Sequence, residues 1–243
     1  MIVRAGLVSA LVLALLSAPL AAQGIDISFG DESSLTTRSV QLIFLVTILS
    51  LAPGIIIMIT CFPFLVTVLS ILRQAVGLQQ SPPNMLIISL ALFLTWYVMD
   101  PVFTAAWQNG ISPLIEDQLE LEEAAILAID PFRGFMAARI DPDTFETLAN
   151  LRAEPSDIST GRDAPLSVLV PSFLLSEISR AFQIGFLVFL PFLIIDLVVA
   201  AILMSMGMMM VPPAIVSLPF KLAFFVVADG WRLIAASLVR SYS

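Results

Sequence analysis

The side chains of this chain best placed to do chemistry are charges set inside apolar runs. Asp196 lies within Phe192-Leu-Ile-Ile-Asp-Leu-Val-Val199, and Lys221 within Leu218-Pro-Phe-Lys-Leu222. A charge at the centre of a membrane helix costs roughly 2.5–3.5 kcal/mol on the lenient scales, so each needs a partner or water. With a turn near Met210 the two fall about one helical turn out of register. Lys221 then reaches Asp196 of its own chain or of an adjacent copy, or carries its ammonium to the membrane surface. Glu177 and Arg180 are one turn apart and fit one helix face; a solvated helix start is the competing reading. Among ordinary reactive groups the chain is poor. It has no histidine and one cysteine, Cys61, in an apolar run. It shows no phosphate-binding glycine loop, nucleophile elbow or paired-histidine motif, hence no catalytic, cofactor-binding or metal set. Glu122 and Glu123 are adjacent and do not face each other on a helix.

Methionine is the second feature. Met204, Met206, Met208, Met209 and Met210 crowd one short stretch. On a helix face such residues pack a core, but three in succession cannot all face one core. A flexible apolar ring also makes a seal that yields to a passing chain.

The elements around these residues are apolar and long. The 243 residues are 59% hydrophobic and 12% charged, and several runs exceed the ~18 residues needed to cross a bilayer. Residues 1–22 read as a secretory signal: Arg4, an apolar stretch from Ala5 to Leu16, then small residues to a cleavage point after Ala22. Residues 23–39 are polar. Residues 40–107 form a first hydrophobic hairpin, with Pro53-Gly54 and Pro63 predicting a broken or bent helix pair. Residues 108–167 are acidic, with helical character from Glu116 to Ile129 and a helix start at Asp141-Pro142-Asp143. Residues 168–243 form a second hairpin whose reversal is made by Gly207, Pro212 and Pro213. The fold expected is an all-α membrane protein: hairpins of kinked hydrophobic helices and a small helical extracytoplasmic segment. The polar loop from Arg73 to Pro83 carries only a positive charge and reads as cytoplasmic. Both chain ends and the acidic segment then lie on the far side. The net charge of −8 argues against nucleic-acid binding.

Several stretches carry a resemblance. In order they are Ser176-Glu177-Ile178, Ala181 to Phe186, Pro191 to Leu197, Gly207 to Pro213, Leu218 to Lys221 and Asp229-Gly230-Trp231. Together they resemble the signature of the FliP family of type III secretion export-gate subunits. Leu72-Arg73, Gly77, Pro82-Pro83-Asn84 and Leu90 to Leu94 match its middle. Pro63-Phe64 stands where the family usually has Thr-Arg, and Ser179 where it has a basic residue, with Arg180 one step on.

The resemblance implies a non-enzymatic subunit of the bacterial inner membrane and flagellar basal body. Several copies would assemble with Q and R subunits and other export-apparatus proteins into a gate for unfolded flagellar proteins. It also implies that Met206, Met208, Met209 and Met210 form the pore gasket. A virulence-type injectisome subunit is the neighbouring alternative. A small secondary transporter is the alternative of another class, although the internal repeats typical of transporters are not visible.

Overall fold

The computed structural model describes residues 32–78, 81–151, 161–208 and 210–242, with the side chains of 32–38 and 52 left out. The signal segment, its cleavage point, the polar stretch to residue 31, most of the linker before Pro165 and Met209 lie outside that description. Among the described residues the structure is helical, with no strand. The chain divides into two units, residues 1–50 and 51–243.

Helix α1, Glu32–Met58, carries the boundary between the units within it. Its apolar stretch Ser39–Met58 is long enough to cross a membrane, and none of that stretch is buried. Pro53 is accommodated inside this helix. The chain breaks instead at Ile59-Thr60-Cys61, after which α2, Phe62–Val76, begins with Pro63 in its first turn. There a proline forfeits no hydrogen bond, because the first helical N–H groups lack an intrahelical acceptor anyway. The run is thus a broken helix pair, as expected, with its break just before Pro63, while Pro53 is carried within the first helix.

The short helix α2 is the centre of the second unit. Phe64, Leu65, Val68, Leu69, Leu72, Ala75 and Val76 are all buried. Their spacing of one, three and four draws a single face. That face packs most extensively against α7 and also against α3 and α8. Gly77 ends α2 at φ 86°, with its N–H on the Gln74 carbonyl.

Helix α3, Asn84–Ala106, runs into a π turn, Trp107–Ile111, and a short α4, Ser112–Ile115. Together they make a 32-residue apolar path. A Cβ on Gly110 would stand 2.6 Å from the Ala124 carbonyl oxygen and 2.6 Å from the Ala128 Cβ. Glycine is therefore what lets the π turn lie against α5, Leu121–Ala137. Helix α6, Pro142–Asn150, starts at Asp141, whose carboxylate accepts from the Thr144 amide at 3.0 Å and its hydroxyl at 2.8 Å. These bonds hold the Asp141 carboxyl below its ordinary pKa, the hydroxyl contact foremost. The helices of the acidic segment share the main core, to which they add Phe132, Met136 and Phe145.

Helix α7, Leu166–Ser205, is 40 residues long, about 60 Å at the α-helical rise and roughly twice the hydrocarbon thickness. It carries Pro171 and Pro191 inside. After the turn, α8, Pro213–Val227, folds back along α7. The last apolar run forms two helices. Asp229 adopts the left-handed conformation at φ 50°, and α9, Gly230–Arg240, leaves at 61° to α8. Aspartate is among the few non-glycine residues that accept this conformation. The Gly230 backbone lies so close under the Phe225 ring that a Cβ would meet it at 2.1 Å.

Candidate functional site

Helices α7 and α8 bring Asp196 and Lys221 together within one chain. The Lys221 ammonium donates to Asp196 Oδ2 at 2.6 Å and to the Ala75 carbonyl at 3.2 Å. The Ser217 hydroxyl, one turn earlier on α8, donates to Asp196 Oδ1 at 2.5 Å. The Lys221 side chain is 7% exposed, so its head stays with these partners instead of reaching outward. Ala75 lies in the last turn of α2, where carbonyls lack helical partners and the helix dipole is negative. One cation thus binds a carboxylate on α7 and caps the end of α2, joining three helices.

A second cluster gathers around Glu177. Its side chain is fully buried. Arg180 approaches Oε1 at 3.5 Å, but the closer partner is Arg139, with Nε at 3.1 Å. The Tyr242 hydroxyl donates to Oε2. The Arg139 guanidinium lies 4.0 Å from the Tyr242 ring centre, and its Nη1 donates to the Ser241 carbonyl at 2.7 Å. Next along α7, the Ser176 hydroxyl accepts the Asp141 amide at 2.9 Å. The adjacent Ser176 and Glu177 therefore pin the α5–α6 corner and the last residues of the chain to one place on α7. Burial, then the Glu177 charge, pushes the Tyr242 phenol far above its ordinary pKa.

Sequence reasoning missed Arg139 and Tyr242. They lie 38 and 65 residues from Glu177, and helical periodicity reveals only local partners such as Arg180. A weak signal existed: Arg139 is one of few cations in an acidic segment.

The methionine turn is built by backbone rules. Gly207 takes φ 73°, its N–H bonds the Met204 carbonyl at 3.1 Å, and the Met208 N–H bonds Leu203 at 3.0 Å. This is the paired bonding that closes a helix on a left-handed residue. Pro212 precedes α8 and Pro213 opens it. Met206, Met208 and Met210 are 66%, 42% and 97% exposed. Met209 lies outside the described residues.

Long apolar helices pinned by buried ion clusters define an all-α membrane protein. The profile of the FliP family matches residues 45–238. The flagellar biosynthetic protein FliP of Caulobacter vibrioides is 53% identical over 226 residues, covering 93% of this chain and 85% of that protein. The protein of the same name from Agrobacterium fabrum is 46% identical over 213 residues, 87% of each chain. That of Bacillus subtilis is 43% identical over 218 residues, 90% of this chain and 98% of its own. The chain belongs to the FliP family, and with it to the components of flagellar type III protein export.

Proposed function

We propose that this chain is a gate subunit of the flagellar export apparatus. Several copies assemble with Q-like and R-like subunits around the path by which unfolded flagellar proteins leave the cytoplasm. The subunit contributes structure, not catalysis, and Met206, Met208, Met209 and Met210 serve as the gasket. The observation that carries this reading is the methionine turn. It stands exposed at the end of a helix pair held by the Lys221–Asp196 bridge. Flexible apolar side chains on a fixed support suit a seal that must deform and re-form.

The acidic segment and the carboxyl end belong on one side of the membrane, the extracytoplasmic one. The contact of Arg139 with Ser241 supports their placement together. The flagellar names of the relatives favour this branch over an injectisome. Co-expression with Q-like and R-like subunits, followed by imaging of the purified complex, tests the proposal. The expected result is a closed assembly of several copies with the methionine turns around a central constriction. An assembly whose methionine turns face lipid or lie away from any continuous path would overturn it.

A further inference from the structure

Helix α3 carries an acid that the two buried clusters leave out. Asp100 stands sixteen positions past Asn84 in the 32-residue apolar path. That is about 24 Å along the axis, within the reach of a hydrocarbon layer entered at Asn84. The other carboxylates described on the long apolar helices and at the bend of the last pair are engaged: Glu177 by Arg139, Asp196 by Lys221, Asp229 by Arg232. Asp100 is exposed, and no hydrogen bond or ion pair engages it among the described residues.

The carboxylate lines a cleft. Trp96, Tyr97, Asp100 and Pro101 of α3 face Val239 and Tyr242 at the end of α9 across about 500 Å³. On α3 these four form one strip, since positions three and four apart are neighbours on a helix. Trp96 and Tyr97 are 64% and 70% exposed. A carboxylate beside aromatic rings is the chemistry that holds a guanidinium or ammonium group, through charge-assisted hydrogen bonds and ring faces. The chain uses that combination elsewhere, where Arg139 meets both Glu177 and the Tyr242 ring.

We propose that this cleft receives an arginine or lysine side chain borne on an apolar helix of a different membrane protein. The charge inventory points to another chain. Every arginine and lysine whose side chain is described, except Arg240, already bonds within the protein. Arg240 directly follows Val239, a lining residue of this same cleft, so in a second copy it would stand beside that copy's own cleft. An arginine or lysine on a neighbouring apolar helix has the same need for a partner as Asp100. The proposal does not depend on the export reading.

The test places a benzophenone amino acid at position 97 of the full-length protein in flagellated cells. Irradiation is followed by identification of the adduct peptide. The expected adduct is with one membrane protein other than this chain, through a peptide containing arginine or lysine. In Asp100→Asn it falls at least tenfold, and in Asp100→Glu it persists. Reversing the partner's basic residue to aspartate removes it, and combining that change with Asp100→Lys restores it, which separates loss of pairing from misfolding. An undiminished adduct in Asp100→Asn, an adduct with a second copy of this chain, lipid adducts alone, or no adduct would each overturn the proposal. Co-purification of the Q-like and R-like subunits from the same membranes reports separately on the export reading.

Discussion

Tyr242 shows how a residue near the end of the chain helps hold the middle together. Its ring stacks on Phe135 at 6.0 Å, meets Phe64 edge-on at 5.5 Å, and lies under Arg139. Its hydroxyl completes the shell of the buried Glu177. Hydrogen bonds to charged groups contribute about 1.5–3 kcal/mol, so Tyr242→Phe should lower stability by about that much at pH 8. The phenol's folded pKa is raised above its ordinary 10.0, by burial first and by Glu177 next. Its stabilisation is therefore complete below pH 10 and declines as pH rises above it, because the unfolded phenol ionises first. The stability gap between the parent protein and Tyr242→Phe should narrow between pH 8 and pH 11 in detergent-solubilised unfolding curves. A constant gap would show that the hydroxyl does not sense Glu177 through its proton. Asp196 and Lys221 were legible from sequence because a charge in an apolar run demands a partner. Tyr242 was not, because a tyrosine near a chain end has no such demand. Only the fold reveals that it meets Glu177.

At the level of elements, the length of the apolar runs announced the long helices and glycine-proline chemistry announced the turn between α7 and α8. The breaks were harder to place. Pro53 and Pro63 are the same residue in similar runs, yet one sits inside α1 and the other opens α2. What distinguishes them is burial: α2 is too short to cross a bilayer and turns one continuous face to α7. Local composition does not contain that contact. The bend at Asp229 was hidden for a similar reason, since its backbone conformation is set by how α9 packs. Glycines separate packing from conformation cleanly. Gly110→Ala would drive a methyl group into the backbone of α5 and should destabilise by about 1–3 kcal/mol, the usual range for overpacking. Gly54 has nothing within 4 Å of the same position. Gly54→Ala should be neutral or slightly stabilising, because alanine favours a helix interior. Thermal unfolding of both purified variants decides this. A tolerated Gly110→Ala would mean that the π turn is free to move off α5.

For the whole molecule the question is what the exposed apolar surface meets. Single side chains such as Phe93, Phe182, Phe186 and Leu197 stand 75%, 61%, 61% and 61% exposed. Surface of this kind is covered by lipid or by other protein chains. The methionine turn is the part of that surface with a proposed task of its own. It lies about 42 Å along the α7 axis from Glu177, where the chain's end is pinned. Changes at the turn should thus leave the Glu177 cluster intact. Changing Met208, Met209 and Met210 together to alanine keeps the backbone and removes most of the side-chain volume. That variant should assemble as the parent does and let small ions or solutes through the membrane. The triple leucine variant restores bulk without the flexibility of methionine, so it should seal and export more slowly. If the methionines instead packed a core between subunits, the order would reverse. Alanine would reduce assembly, and leucine would be nearly silent, since exchange of methionine and leucine in cores costs less than about 1.5 kcal/mol. Complex yield, membrane leak and the rate of flagellar protein export, measured on both variants, separate the two cases. Poor assembly of the alanine variant without a leak would remove the gasket from this chain and leave the turn as an assembly contact.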